Sequence, residues 1–174
     1  MKTLVLGGVK SGKSRFAEAL AAQSDASVCY IATAQALDEA MAQRIARHQA
    51  QRPAHWQVIE CPIDLPEALV ALSGAGKTVL VDCLTLWLTN LLCRPEGAAS
   101  LQPNVEALVR AVADFDGSLI LVSNETNMGV MPVNELARRY CDEVGVLHQQ
   151  LAACCEAVTL VLAGLPLMLK GEQP

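Results

Sequence analysis

The stretch Thr3–Leu20, TLVLGGVKSGKSRFAEAL, decides how the rest of the chain is read. Thr3 to Leu6 is a strand-like apolar run, and Lys13 to Gln23 has a helical pattern. Between them GGVKSGKS, Gly7 to Ser14, fits G-x-x-x-x-G-K-[ST], a pattern that average residue usage produces in only about one chain in a hundred of this length. Glycines at such a turn let backbone N–H groups curl around phosphate oxygens, and the helix that follows adds the positive end of its dipole. Lys13 then reaches the terminal phosphates and the Ser14 hydroxyl faces Mg²⁺. The stretch therefore nominates Gly7, Gly8, Val9, Lys10, Ser11, Gly12, Lys13 and Ser14 as nucleotide-binding residues, with Lys13 also catalytic and Ser14 also a metal ligand.

Further strand-like runs stand at Val28 to Ala32, Gln57 to Glu60, Thr78 to Val81, Leu119 to Ser123 and Val158 to Ala163. Helical patterns fall between most of them: Asp38 to Gln51, the run CLTLWLTNLL from Cys83, Asn104 to Asp114, and Asn134 to Glu156. In the last, Leu136, Tyr140, Val144, Leu147 and Leu151 recur at three-to-four spacing, the stripe of a helix lying on a sheet. CRPEGAASLQP, Cys93 to Pro103, reads as a long loop. Strands alternating with helices predict an α/β, P-loop NTPase-type three-layer sandwich with a mostly parallel central sheet, one domain over residues 1–174.

Composition narrows the function. Hydrophobic residues make up 52% of the chain and aromatics 3%, so Leu, Val, Ile and Ala build the core. The apolar runs 78–92 and 157–169 are interrupted by Asp82, and by Gly164 and Pro166, well short of the ~20 residues of a membrane span. The N-terminus lacks the apolar region of a signal peptide, which predicts a cytoplasmic protein. Seven cysteines with no C-x-x-C pair read as small buried hydrophobes in a reducing compartment. A net charge of −5 offers no basic stripe for nucleic acid, so an anionic ligand needs a local site.

A phosphate loop needs a second anchor for Mg²⁺, and Asp82, ending the Thr78–Val81 run, is expected beside that loop in this role or as the N-cap of the helix that follows. Asn124 and Glu125, in SNET at the end of another strand, touch substrate or cap the turn. No N-K-x-D stands there, which counts against a guanine-nucleotide switch. In RIARHQAQRPAHW, Arg44 to Trp56, the residues Met41, Ile45 and His48 share one face of the expected helix. An imidazole ending an apolar stripe is either a satisfied core histidine or a chemical group. His55, beside Trp56, and His148, within the long helix, take structural readings.

Five segments, LVLGGVKSGKSRFAEAL, YIATAQALDEAMAQRIARHQAQRPAHW, LVDCLTLWLTNLL, LVSNE and LARRYCDEVGVLHQQLA, together resemble the bifunctional adenosylcobinamide kinase and adenosylcobinamide-phosphate guanylyltransferase family of cobalamin biosynthesis. The R-I-x-x-H-x-x-x-R-P and V-D-C-L-T-x-W-x-x-N-L runs carry the most specificity. The resemblance implies phosphorylation of the aminopropanol hydroxyl of adenosylcobinamide by ATP or GTP, then transfer of GMP from GTP to give adenosylcobinamide-GDP. It makes His48 the guanylylated catalytic residue. Nucleotide contacts carry over to the phosphate loop, to Thr33, Ala34 and Gln35, to Gln49, Ala50, Gln51 and Arg52, and to Glu60 and Asp82. Mg²⁺ is then held by Ser14 and Asp82, and a homotrimer is implied. The chain departs from the family's Val-Gly-aromatic-Gly pattern at Thr126–Gly129, where Asn127 offers a residue tolerant of left-handed backbone.

A neutral imidazole at His48 is able to attack the α-phosphate of GTP, expelling pyrophosphate and leaving GMP on nitrogen. Arg44, Arg47 and Arg52 are placed to neutralise phosphate charge, or are solvated on a helix edge. Two other readings compete: a simple P-loop small-molecule kinase with no guanylyl transfer, and a nucleotide-gated interaction protein.

Overall fold

In the computed structural model the described residues are 1–36, 39, 42, 43, 45, 46, 53–95 and 97–171, with backbone alone for 97–100. Seven strands form one sheet: β1 (Lys2–Gly7), β2 (Val28–Ala32), β3 (Gln57–Glu60), β4 (Thr78–Asp82), β5 (Ser118–Asn124), β6 (Ala157–Leu162) and β7 (Leu165–Lys170). Their spatial order is β3-β2-β4-β5-β1-β6-β7. Every neighbouring pair is parallel except β6 with β7. The helices are α1 (Lys13–Ala22), α2 (Leu65–Leu72), α3 (Leu84–Leu92), α4 (Gly97–Ala113) and α5 (Glu135–Cys154). Glu39, Ala42, Gln43, Ile45 and Ala46 are also helical.

The central strands carry unbroken apolar runs because both of their faces are covered. Alternate residues serve opposite layers. Val5, Tyr30, Leu80, Ile120 and Val122 pack with Ala17 and Ala21 of α1 on one face. Leu4, Leu6, Ile31, Val79, Val81, Leu119 and Leu121 pack on the other with residues of α2 to α5, among them Leu69, Trp87, Leu108 and Leu147. Trp87 is fully buried and its indole N–H donates to the Ile63 carbonyl at 2.6 Å, so its one polar atom is satisfied. The predicted α/β fold with a mostly parallel sheet is the observed one.

Three elements differ from expectation. The run Val158 to Ala163 ends at Leu162, and a two-residue turn returns the chain as β7. Ala163 and Gly164 both have positive φ, 51° and 80°, the turn chemistry that joins antiparallel strands tightly. Pro166 argues against a strand in sequence, but β7 is an edge, where a missing N–H is tolerated. The expected loop to Pro103 is partly helix: α4 starts at Gly97, because Leu101 extends the buried stripe of Val105, Leu108 and Val112 one turn ahead of the proline. Helix α2 was not expected at all. Within α5, Leu136 is 49% exposed and stands outside the buried stripe.

Candidate active site at the carboxyl ends of the parallel strands

The phosphate loop leaves the end of β1, which lies between β5 and β6 with Gly7 opposite Asn124 and Val161. Two residues of the loop have positive φ, Lys10 at 57° and Gly12 at 96°. The tight turn is closed by Ser11 N–H to the Gly8 carbonyl, 3.2 Å. Gly7 is obligatory for a packing reason: a Cβ there would lie 2.6 Å from the Val161 carbonyl oxygen and 2.5 Å from Ser11 Oγ. Lys13 is only 5% exposed, and its Nζ donates to the Gly8 carbonyl at 3.1 Å, so the ammonium is folded back over the loop. The β6–β7 turn braces the loop from outside. Gly164 N–H donates to the Ser11 carbonyl at 2.8 Å, and a Cβ on Gly12 would come within 3.1 Å of Gly164 Cα.

Asp82 ends β4, opposite Val122 of β5 and Ala32 of β2. Its strand does not neighbour the phosphate-loop strand directly, since β5 stands between β4 and β1. Nor is it the helix cap: Cys83 is the N-cap of α3 and makes no side-chain cap bond. Asp82 Oδ2 instead accepts from the Tyr30 hydroxyl at 3.1 Å. Burial, reinforced by the Asp82 carboxylate, pushes the Cys83 thiol up to about 11.

Thr33, at the end of β2, is fully buried, and its hydroxyl is already engaged. Thr33 Oγ1 donates to the Cys83 carbonyl at 2.7 Å and accepts from the Cys83 N–H at 2.8 Å, which clamps β2 to the junction of β4 and α3. Asn90 Nδ2 of α3 donates to the Thr33 carbonyl at 2.8 Å and the Pro62 carbonyl at 3.0 Å, fixing the backbone from the other side. Gln35 is exposed, as is Glu60 at the end of β3.

Where β5 ends, Glu125 N–H donates to the Gly7 carbonyl at 3.0 Å, tying the following segment to the phosphate loop. Glu125 Oε1 accepts from Asn127 N–H at 2.7 Å, so this carboxylate does cap the turn. Its Oε2 lies 3.7 Å from His148 Nδ1. His148 Nε2 is 2.8 Å from Ser123 Oγ, and burial holds the imidazole pKa below its ordinary value against the opposing pull of Glu125. Asn127 does not adopt the left-handed backbone suggested for it; it holds the turn through Nδ2 to the Cys141 carbonyl, 2.8 Å.

The described site residues thus gather at one edge, the carboxyl ends of β1 to β5, where ligands bind in open parallel sheets. His48, Gln49, Ala50, Gln51 and Arg52, with Met41, Arg44 and Arg47, lie outside the described residues. His55 is exposed. Features of the site missing from the sequence reading include the brace from Gly164 and the contact between Glu125 and His148. The Ala-Gly pair after β6 was a signal for the first; nothing local announced the second.

A family model described as "Cobinamide kinase / cobinamide phosphate guanyltransferase" matches residues 3–169. The chain is 55% identical over 172 residues to the bifunctional adenosylcobalamin biosynthesis protein CobP of Pseudomonas aeruginosa, covering 99% of each. It is 38% identical over 182 residues to CobU of Escherichia coli K12, a protein of the same description, covering 98% of this chain and 100% of that one. Among solved structures, a protein from Pyrococcus horikoshii OT3 superposes with a TM-score of 0.58 at 11% identity, covering 99% of this chain and 87% of that one. The RadB recombinase gives 0.50 at 17% identity, covering 91% and 72%. These two likenesses speak for the fold alone.

Proposed function

The chain belongs to the cobinamide kinase / cobinamide phosphate guanyltransferase family, and from that premise we propose that it phosphorylates the alcohol of adenosylcobinamide and then caps the new phosphate with GMP. The observation that carries the reading is a phosphate loop of the right geometry in a chain that its bifunctional relatives match from end to end. Kinase-only and switch-protein readings are not favoured by that match.

Gly7 to Ser14 would grip the triphosphate in both half-reactions. The left-handed Gly12 opens α1, and the N–H groups of its first turn have no helical partners of their own. Lys13 supplies a positive charge whose attraction strengthens as negative charge builds on the leaving-group oxygen. Mg²⁺ suits the oxygen donors available, the Ser14 hydroxyl and the Asp82 carboxylate. Tyr30 engages Oδ2 of Asp82 at 3.1 Å and so fixes the orientation of the carboxylate. When bound, the ion would neutralise charge on the phosphate oxygens. With Thr33 occupied by Cys83, contacts from this segment fall to Ala34 and Gln35, and Glu60 and Arg52 complete the proposed nucleotide set.

His48 is the proposed nucleophile, on the strength of its place in RIARH. A ring nitrogen attacks the α-phosphorus of GTP and the bond to the bridging oxygen breaks, releasing pyrophosphate. An oxygen of cobinamide phosphate then attacks the same phosphorus, and the imidazole leaves. Two-step transfer lets one loop serve both halves of the reaction. No described helix is long and apolar enough to cross a membrane, and the family resemblance favours a homotrimer. Following adenosylcobinamide by mass with ATP and GTP tests the whole scheme. It should gain a phosphate, then a GMP; recovery of unchanged substrate would refute it.

A further inference from the structure

The two half-reactions ask different things of their acceptors. In the kinase half the acceptor is an alcohol, which must lose a proton as its oxygen bonds to the γ-phosphorus. In the guanylyl half it is a phosphate monoester, whose second pKa of ~6 leaves it anionic near neutrality. A base is needed once.

We infer that Glu125 is that base and that His148 is the residue that positions its carboxylate. The inference rests on the kinase reading above. The step balances within the site: the alcohol oxygen forms its bond to the γ-phosphorus, the bond from that phosphorus to the bridging oxygen breaks, the nucleoside diphosphate departs, and the alcohol proton moves to the Glu125 carboxylate.

Position singles out this carboxylate among the described residues at the strand ends. Glu125 is bonded through its own N–H to Gly7, the first residue of the phosphate loop, and follows β5, which neighbours β1 directly. Asp82 is one strand further away and accepts from Tyr30; Glu60 lies on β3, the far edge of the sheet. The two oxygens of Glu125 are also differentiated. Oε1 is held by Asn127 N–H at 2.7 Å, while Oε2 is directed toward His148 at 3.7 Å, and the side chain keeps 18% of its surface exposed. The carboxylate is thus partly exposed and its orientation is fixed.

His148 completes the arrangement. It is 7% exposed, and its ring is held at Nε2 by Ser123 Oγ, which belongs to the same strand that delivers Glu125. Burial favours the neutral imidazole, so the histidine orients the carboxylate through an uncharged ring.

Glu125→Gln tests the inference, since the amide oxygen still accepts from Asn127. Two rates are compared: adenosylcobinamide phosphate formed from adenosylcobinamide and ATP, and adenosylcobinamide-GDP formed from supplied adenosylcobinamide phosphate and GTP. The kinase kcat should fall about 100-fold or more. KM for ATP and the rate of guanylyl transfer should stay within about threefold of wild type. His148→Asn should show the same selectivity with a smaller loss, and Glu125→Asp, with its shorter reach, serves if the glutamine variant does not fold. A kinase rate within about threefold of wild type, or equal loss of both activities in a folded variant, overturns the inference. Wild-type protein inert toward adenosylcobinamide overturns the kinase reading and this inference with it.

Discussion

Thr33→Val isolates what the hydroxyl at the end of β2 does. Valine keeps the shape and burial of threonine and removes the one oxygen that donates to the Cys83 carbonyl and accepts from the Cys83 N–H. The carbonyl retains a second partner, the Trp87 N–H at 3.2 Å, so it loses a modest bond of about 0.5–1.5 kcal/mol. The buried N–H is left with no acceptor, at about 1–3 kcal/mol. Together the loss is about 1.5–4.5 kcal/mol, and for a chain of this size each kcal/mol moves Tm by ~2–4 °C. Thermal unfolding should therefore show a drop of about 3–18 °C. Nucleotide affinity measured well below the melt should change little, because the lost hydroxyl faces Cys83 and not a ligand. A Tm within about 1 °C of wild type, combined with weakened nucleotide binding, would refute the assignment and return Thr33 to direct nucleotide contact.

Lys13→Ala should reduce both half-reactions by about 100-fold or more in a protein that still folds, since both draw on the same ammonium; steady-state rates of each half check this. Asp82→Asn keeps the acceptor for Tyr30 and removes the charge. It should raise the Mg²⁺ concentration for half-maximal rate by about tenfold with the melting temperature little changed, as a metal titration and a melt would show.

The legible parts of the molecule were those whose physics is local. A glycine-rich turn between an apolar strand and a helix announces itself within eighteen residues, and central strands buried on both faces leave unbroken apolar runs such as Val79 to Val81. Edge structure is different. The leucines of β7 are exposed, Leu165 at 71% and Leu169 at 56%, so neither alternation nor burial marks the strand, and Pro166 points the other way. The start of α4 was hidden by Gly97 and Pro103, whose poor propensity is outweighed by the burial of Leu101. Within the site, strand ends were readable but partnerships were not. Thr33 meets Cys83 across 50 residues and His148 meets Ser123 across 25, contacts that only the sheet order creates. Asp82 shows the same limit, for sequence placed it at a strand end without revealing that β5 intervenes before the loop.

The most direct test of the central claim, one phosphate loop serving two chemistries with a histidine carrying GMP between them, is a labelling experiment. Wild-type protein and His48→Asn are incubated with α-labelled GTP and Mg²⁺, and the protein-bound label is challenged with acid and base. Wild type should take up label that is lost in acid and stable in base, as a phosphorus–nitrogen bond requires, while the variant takes up none and still phosphorylates adenosylcobinamide. Label on a well-folded His48→Asn protein would contradict the account, and loss of both activities together would make His48 a structural residue.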